Sequence, residues 1–271
     1  MNLSRLRHVT QTVTFIVSNL GFAPALKTIV SNLGSVPVLK TGLICPYFYC
    51  YGCPLASSGC PIGTLQNYLK NARIGLFPMF PFYLLGTLGV YGTIFGRAFC
   101  GWACPFGAFQ DLMRGPGKRK LRPFKYSKFA MLLIVMILAW VTVDTFFCKF
   151  CPAGSLFAAI PTPFFFPTLG IGFFFYVHMA TLLLTILLVF LFSRFWCRYL
   201  CPVATIGLLN KLSVLTVSLD STKCTECQRC LNVCPMGLDK LSDIGSSSDC
   251  TLCGKCVEAC KTDALKMNVR K

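Results

Sequence analysis

A chain of 271 residues that is 55% hydrophobic and 13% charged, with a mean hydropathy of +0.64, has too little polar surface for an ordinary water-soluble globule. Its formal charge of +17 suggests a nucleic-acid partner, but 18 of the 26 basic residues and only two acids precede residue 220, and they fall between apolar segments. That distribution follows the positive-inside pattern of membrane topology and excludes a nucleic-acid surface.

Four apolar stretches predict helices that cross a hydrocarbon core of about 30 Å, which takes roughly 20 helical residues. In chain order they are 8–26, 76–95, 129–147 and 171–192, the first interrupted by Gln11, Asn19 and Pro24. The expected fold class is a mainly α membrane protein, with a four-helix transmembrane bundle over 1–215 and a small C-terminal α+β, bacterial-ferredoxin-like domain over 216–271. The connection 96–128 carries eight cations against Asp111 alone, which predicts a cytoplasmic location. Residues 41–75 and 148–170 then fall on the outer side, and both termini are cytoplasmic. Residues 16–27 and 29–40 are a local duplication with a period of 13, too short for a solenoid unit.

The 18 cysteines occur in short ligand-like spacings with no cleavable signal pattern, which points to metal rather than a secreted disulfide framework. Cys224, Cys227, Cys230 and Cys234 precede Pro235, and Cys250, Cys253, Cys256 and Cys260 repeat the spacing. In this arrangement three close thiolates grip one cubane and the fourth crosses to the other cluster. The expected ligand sets are Cys224, Cys227, Cys230 and Cys260 for one [4Fe-4S] cluster, and Cys250, Cys253, Cys256 and Cys234 for its neighbour. Zinc knuckles also use four thiolates, but two copies of the spacing with Pro235 favour iron. Lys261 replaces the proline often found after the last ligand.

Two further pairs read aromatic-Cys-x-x-x-Cys-Pro, each after the cytoplasmic end of a predicted helix: Phe99, Cys100, Cys104, Pro105 and Trp196, Cys197, Cys201, Pro202. Two cysteines cannot complete a cubane, so the pairs predict one cluster bridging both loops. Buried structural thiols are the competing reading. Arg97, Arg194 and Arg198 lie nearby, either to stabilise an anionic cluster or to anchor helices at lipid headgroups.

On the outer side Cys50, Cys53, Pro54 and Cys148, Cys151, Pro152 form a parallel pattern and predict a fourth cluster. Cys45 and Cys60, also followed by proline, are alternative ligands or a disulfide pair. His8 and His178 are the only histidines, so nothing supports intrinsic haem. His178 is either a quinone contact or a hydrogen-bonded packing residue. Asp144, near the outer end of the third predicted span, is a functional candidate by default or simply hydrated.

The segments GRAFCGWACPFGAFQDL (96–112) and FWCRYLCPVATIGLLNKL (195–212), with the two ferredoxin motifs, resemble the membrane polyferredoxins related to the NapH subunit of periplasmic nitrate reductase systems and to the C-terminal part of the nitrous-oxide regulator NosR. The resemblance runs from about residue 76 to 271. It implies four transmembrane helices, cytoplasmic ferredoxin-type clusters, and electron exchange with quinones or partner redox proteins. The outer cysteines of 45–66 and 148–161 go beyond the NapH pattern.

The expected function is a membrane-bound electron-transfer subunit linking cytoplasmic ferredoxin-type clusters to a quinone or an extracytoplasmic redox partner. Partner subunits would carry flavin, haem or iron-sulfur groups, with soluble ferredoxin as a further candidate. A redox-sensing or assembly role is the alternative. Catalysis by the chain alone has no support, because the sequence holds no nucleotide fingerprint and no nucleophile-base arrangement.

Overall fold

The computed structural model describes residues 3–18, 43–44, 46, 58–75, 82–113, 126–161, 163 and 172–270. The duplicated segment lies almost wholly outside these residues, as do Cys45, Cys50 and Cys53. The chain opens with α1 (Leu3–Ser18), then a short parallel pair β1 (Leu43–Ile44) and β2 (Ser58–Gly59). Next come α2 (Pro61–Arg73), α3 (Phe82–Phe95), α4 (Ala98–Trp102), α5 (Pro105–Leu112) and α6 (Ser127–Thr142). A 3-10 turn (Phe146–Phe150) leads into α7 (Pro152–Gly154), which continues as a π-helical turn over Ser155–Ala159. The long helix α8 (Phe173–Leu191) follows, then a π turn (Trp196–Leu200) and a 3-10 stretch (Pro202–Lys211).

Helix α8 has 19 residues, a length of about 28 Å, and is the one helix among the described residues long and apolar enough to cross a membrane. Helices α3 and α6 are equally apolar but shorter, at 14 and 16 residues. All three turn large apolar side chains outward, among them Phe82 and Leu85, Leu133 and Ile137, Leu183 and Leu187. A belt of this size is not left facing water in a soluble monomer.

The helix limits differ from the apolar stretches in instructive ways. Helix α1 starts at Leu3 rather than at residue 8, because Arg7 and Gln11 are buried on its inner face instead of facing lipid or water. Helix α6 stops at Thr142, where Val143 turns left-handed (φ 52°) and Asp144 pairs with Lys149. The apolar run to Phe147 therefore does not continue the helix but folds back against the core. Helix α2 packs along α6 and was not expected from the sequence.

The C-terminal module closes with the antiparallel pair β3 (Leu215–Leu219) and β4 (Leu265–Val269), in which Val217 faces Met267. Between them lie the single-turn helices α9 (Arg229–Asn232) and α10 (Lys255–Glu258). Its core gathers Val217, Leu238, Ile244, Leu252 and Leu265 around Cys230 and Cys250. Ser4 at the start of α1 donates its backbone N–H to the Glu258 carboxylate at 2.5 Å, so the N-terminal helix and the module share one end of the molecule.

Candidate metal centres

Two similar loops build the C-terminal centre. In each, the residues two and four positions after the first cysteine adopt positive φ: Glu226 (51°) and Gln228 (54°) after Cys224, Leu252 (48°) and Gly254 (76°) after Cys250. These left-handed turns wrap the backbone around one point, as a three-thiolate grip requires. The thiol of Cys256 feels those of Cys253, Cys250 and Cys234, while Cys230 feels Cys224 and Cys227. Cys230, Cys234, Cys250, Cys253 and Cys256 line a common enclosed cavity. Cys234 thus joins the Cys250 loop across the module, and Cys260 packs against the same core as Cys230. Cys227 is exposed, and Cys224 is half-buried. Burial pushes the Cys250 thiol up to about 11.

The second centre lies where α4, α5 and the turns after α8 meet. Cys100, Cys104, Cys197 and Cys201 are all buried and converge: Cys201 feels Cys197, Cys100 and Cys104. Cys104 and Cys201 each cap a helical turn that opens with proline, with φ,ψ of −72°,114° and −72°,111°. Proline holds the preceding residue extended and has no N–H of its own, which sets each cysteine at the start of its helical turn. The Gly107 N–H donates to Cys104 Sγ at 3.4 Å, and Gln110 Nε2 donates to Cys197 Sγ at 3.0 Å. Burial pushes the Cys104 and Cys201 thiols up, and Arg194 and Arg97 act against that rise.

The arginines here are core residues. Arg97 and Arg194 have no exposed surface and Arg198 is 8% exposed, which rules out lipid-headgroup anchoring. Arg194 makes a two-pronged ion pair with Asp111 at 2.8 Å on both oxygens, and Arg7 reaches the same carboxylate at 3.2 Å. Burial alone would raise the Asp111 carboxyl, but Arg194, Lys255 and Arg7 together hold it well below the usual carboxylate range. Arg97 Nη1 donates to Ser248 O at 2.9 Å, and Lys128 pairs with Asp249 at 2.5 Å.

Two buried donors beside these thiols, Arg97 Nε and Arg194 Nη1, have no hydrogen-bond partner among the described residues. Orphaned buried donors are costly, and an anionic iron-sulfide core amid the four thiols would supply the acceptors they lack. Donor type, number and surroundings therefore fit a [4Fe-4S] group held by Cys100, Cys104, Cys197 and Cys201.

The C-terminal module is clamped directly onto this centre. Asn210 donates to Ser247 O at 2.7 Å and to Cys250 O at 2.8 Å, and accepts from the Arg97 N–H at 2.7 Å. Trp102 Nε1 donates to Leu252 O at 2.9 Å.

A third group of thiols forms at the far end of α6. Cys60, Cys148 and Cys151 draw together, and Cys60 forms no disulfide among the described residues. His178 on α8 lies 3.0 Å from Ser155 Oγ through Nδ1, the packing role weighed above. The sequence signal passed over is Gln66 and Gln110, two fully buried amides six residues after the cysteine of a Cys-Pro pair.

Comparison with known families agrees with this chemistry. A 4Fe-4S binding domain matches three times, over residues 76–123, 126–160 and 172–213, and a 4Fe-4S dicluster domain matches 216–261. An uncharacterized protein of Methanocaldococcus jannaschii is 25% identical over 222 residues, covering 77% of this chain and 86% of the relative. The methylamine utilization ferredoxin-type protein MauN of Methylorubrum extorquens is 32% identical over 197 residues, 66% of this chain and 64% of the relative. The ferredoxin-type protein NapH of Escherichia coli is 26% identical over 182 residues, 65% of this chain and 59% of the relative. No solved structure matches the chain.

Proposed function

Because the chain is a NapH-type polyferredoxin built from 4Fe-4S binding units, we propose that it serves as a membrane-embedded electron-transfer subunit, taking electrons to or from a soluble partner at its C-terminal module. The function that follows from the family is iron-sulfur electron transfer. The embedding, the orientation and the route are this proposal.

Embedding rests on the apolar belt of α3, α6 and α8, and on a length of α8 that matches a bilayer core. Orientation rests on the excess of cations in the connection 96–128, whose described members Arg97 and Lys128 contact the module at Ser248 and Asp249, and which would face the cytoplasm. The exposed Cys227 marks the docking end for a soluble redox partner. The Cys250 loop, by contrast, faces inward against α4.

When bound, a [4Fe-4S] cubane supplies a one-electron redox site. The chain's own residues set the route by position: the Cys224 loop at the surface, the Cys250 loop against α4, and the four converging thiols beneath. Arg97, Arg194 and Gln110 place positive charge and N–H donors at those thiols, which favours the reduced form. Asp111, neutralised by three cations, fixes the geometry without setting a free negative charge beside the site. A quinone, or a flavin, haem or iron-sulfur partner, is the proposed exchange partner on the membrane side.

The observation that carries this reading is the direct seating of the Cys250 loop on Gly101, one residue from Cys100. Proteoliposomes that enclose reduced ferredoxin and face an impermeant acceptor outside test it. The expected result is acceptor reduction that Cys197→Ser abolishes; no transfer with every cluster present sinks the conduit.

A further inference from the structure

We propose that Cys60, with Cys148 and Cys151, ligates an additional iron-sulfur cluster at the outer end of the bundle, in a site built as a second copy of the Cys100/Cys104/Cys197/Cys201 centre. This rests on the 4Fe-4S chemistry of the chain, but not on the direction or partners of electron flow.

The evidence begins with a repeat. Cys60-Pro61-Ile62-Gly63-Thr64-Leu65-Gln66 and Cys104-Pro105-Phe106-Gly107-Ala108-Phe109-Gln110 share the pattern Cys-Pro-x-Gly-x-x-Gln. Each cysteine caps a helix that opens on its proline, with φ,ψ of −70°,129° at Cys60 and −72°,114° at Cys104. The Cys104 thiol accepts from the Gly107 N–H, whereas the Cys60 thiol makes no such cap bond. Each glutamine is buried and points its amide at a cysteine of the opposite loop: Gln66 Nε2 donates to Cys148 Sγ at 3.5 Å, as Gln110 does to Cys197. Gln66 Oε1 also accepts the Phe147 N–H at 3.1 Å, fixing the loop that carries Cys148.

The opposite loops correspond as well. Cys151 caps α7 ahead of Pro152 with φ,ψ of −77°,117°, close to Cys201 ahead of Pro202. The 4Fe-4S binding domain matches 126–160 just as it matches the two units of the inner centre. Cys60 then takes the place of Cys104, Cys151 that of Cys201, and Cys148 that of Cys197.

The two sites share one buried core. Phe147, next to Cys148, stacks on Trp196, next to Cys197, with ring centroids 6.1 Å apart and planes 29° apart. Phe106 meets Phe157 edge-on at 6.5 Å. Cys60, Cys104, Cys151 and Cys201 belong to the same cluster of buried side chains.

The test compares anaerobically purified full-length protein with its Cys60→Ser variant by iron and sulfide content and by EPR of the reduced state. Expected is a loss of about a quarter of the iron, one cubane of four, together with one EPR signal. The three remaining signals report that the chain has folded. Unchanged iron and spectra in the variant would make Cys60 a packing thiol and overturn the proposal. So would wild-type protein with three cubanes, a result that leaves the electron-transfer reading of the other centres intact. If the variant loses all iron, Gln66→Leu decides with every cysteine in place. It should move one midpoint potential by about 59 mV, a tenfold change in a one-electron equilibrium, and four unmoved potentials would overturn the assignment.

Discussion

Gly101 and Cys253 touch: a Cβ built on Gly101 would stand 3.2 Å from the Cys253 Cβ and 2.5 Å from the Thr251 carbonyl oxygen. Only glycine lets the Cys250 loop sit this close to the residue after Cys100. The distance between two redox sites is thereby set by a missing side chain rather than by a linker. Gly101→Val should lever the module away, at a cost of about 1–3 kcal/mol of docking stability for an overpacked contact. Hydrogen exchange at residues 250–254 should rise, and electron exchange between the module and the Cys100 centre should slow. Unchanged protection at 250–254 would show that the contact does not hold the module.

Asp111 is the second point at which the parts are joined. Its carboxylate binds Arg7 of α1, Arg194 after α8 and Lys255 of α10, at 3.2, 2.8 and 3.7 Å. Asp111→Asn leaves buried guanidinium groups without their counter-charge, a change that typically costs about 3–5 kcal/mol. Because the folded-state carboxyl lies below its unfolded value near 3.9, its stabilisation is present above about pH 4 and is lost as pH falls toward the folded value. Wild-type melting temperature should therefore drop through that acid window while the Asn variant, already destabilised, changes less. Parallel curves for the two proteins would remove Asp111 from the acid response.

Gln110 tunes rather than builds. Its amide reaches Cys197 Sγ at 3.0 Å from a fully buried position. A hydrogen bond to a cluster sulfur favours the more negative, reduced state, so removing it lowers the potential. Gln110→Leu should lower one midpoint potential by about 59 mV, a tenfold change in a one-electron equilibrium, with iron content unchanged. A redox titration followed by EPR separates this from a ligand role, which would remove the signal altogether.

How much of this was legible in the sequence follows from how local each signal is. The expected ferredoxin ligands come from spacing within a few residues, and the structure puts Cys234 in one cavity with Cys250 and Cys253. The convergence of Cys100, Cys104, Cys197 and Cys201 was readable because both pairs follow helix ends on one side. Helix α2 was missed because Pro61–Arg73 is short and mixed in polarity, too weak for a span, although Cys-Pro is itself a helix-start signal. The end of α6 was misplaced because Val143, Phe146 and Phe147 flank Asp144 and Thr145 and keep the stretch apolar on average, while the backbone turns at Val143. The roles of Arg97 and Arg194 depend on Asp249 and Asp111, 152 and 83 residues away, and no local pattern reports such pairings.

Differences in burial predict the order in which iron is lost. Cys227 is exposed and Cys224 is half-buried, whereas Cys100, Cys104, Cys197 and Cys201 are all buried under the docked module. A chelator must reach iron through solvent, and ligand exchange starts where a thiolate can be protonated or displaced. Timed chelation of anaerobic protein should therefore remove the signal of the Cys224/Cys227/Cys230 centre first and that of the Cys100 centre last. Gly101→Val, by loosening the module, should shorten the interval between the two losses while keeping their order. Simultaneous loss in the wild type would mean that the centres unfold as one unit and that burial does not set their lifetimes.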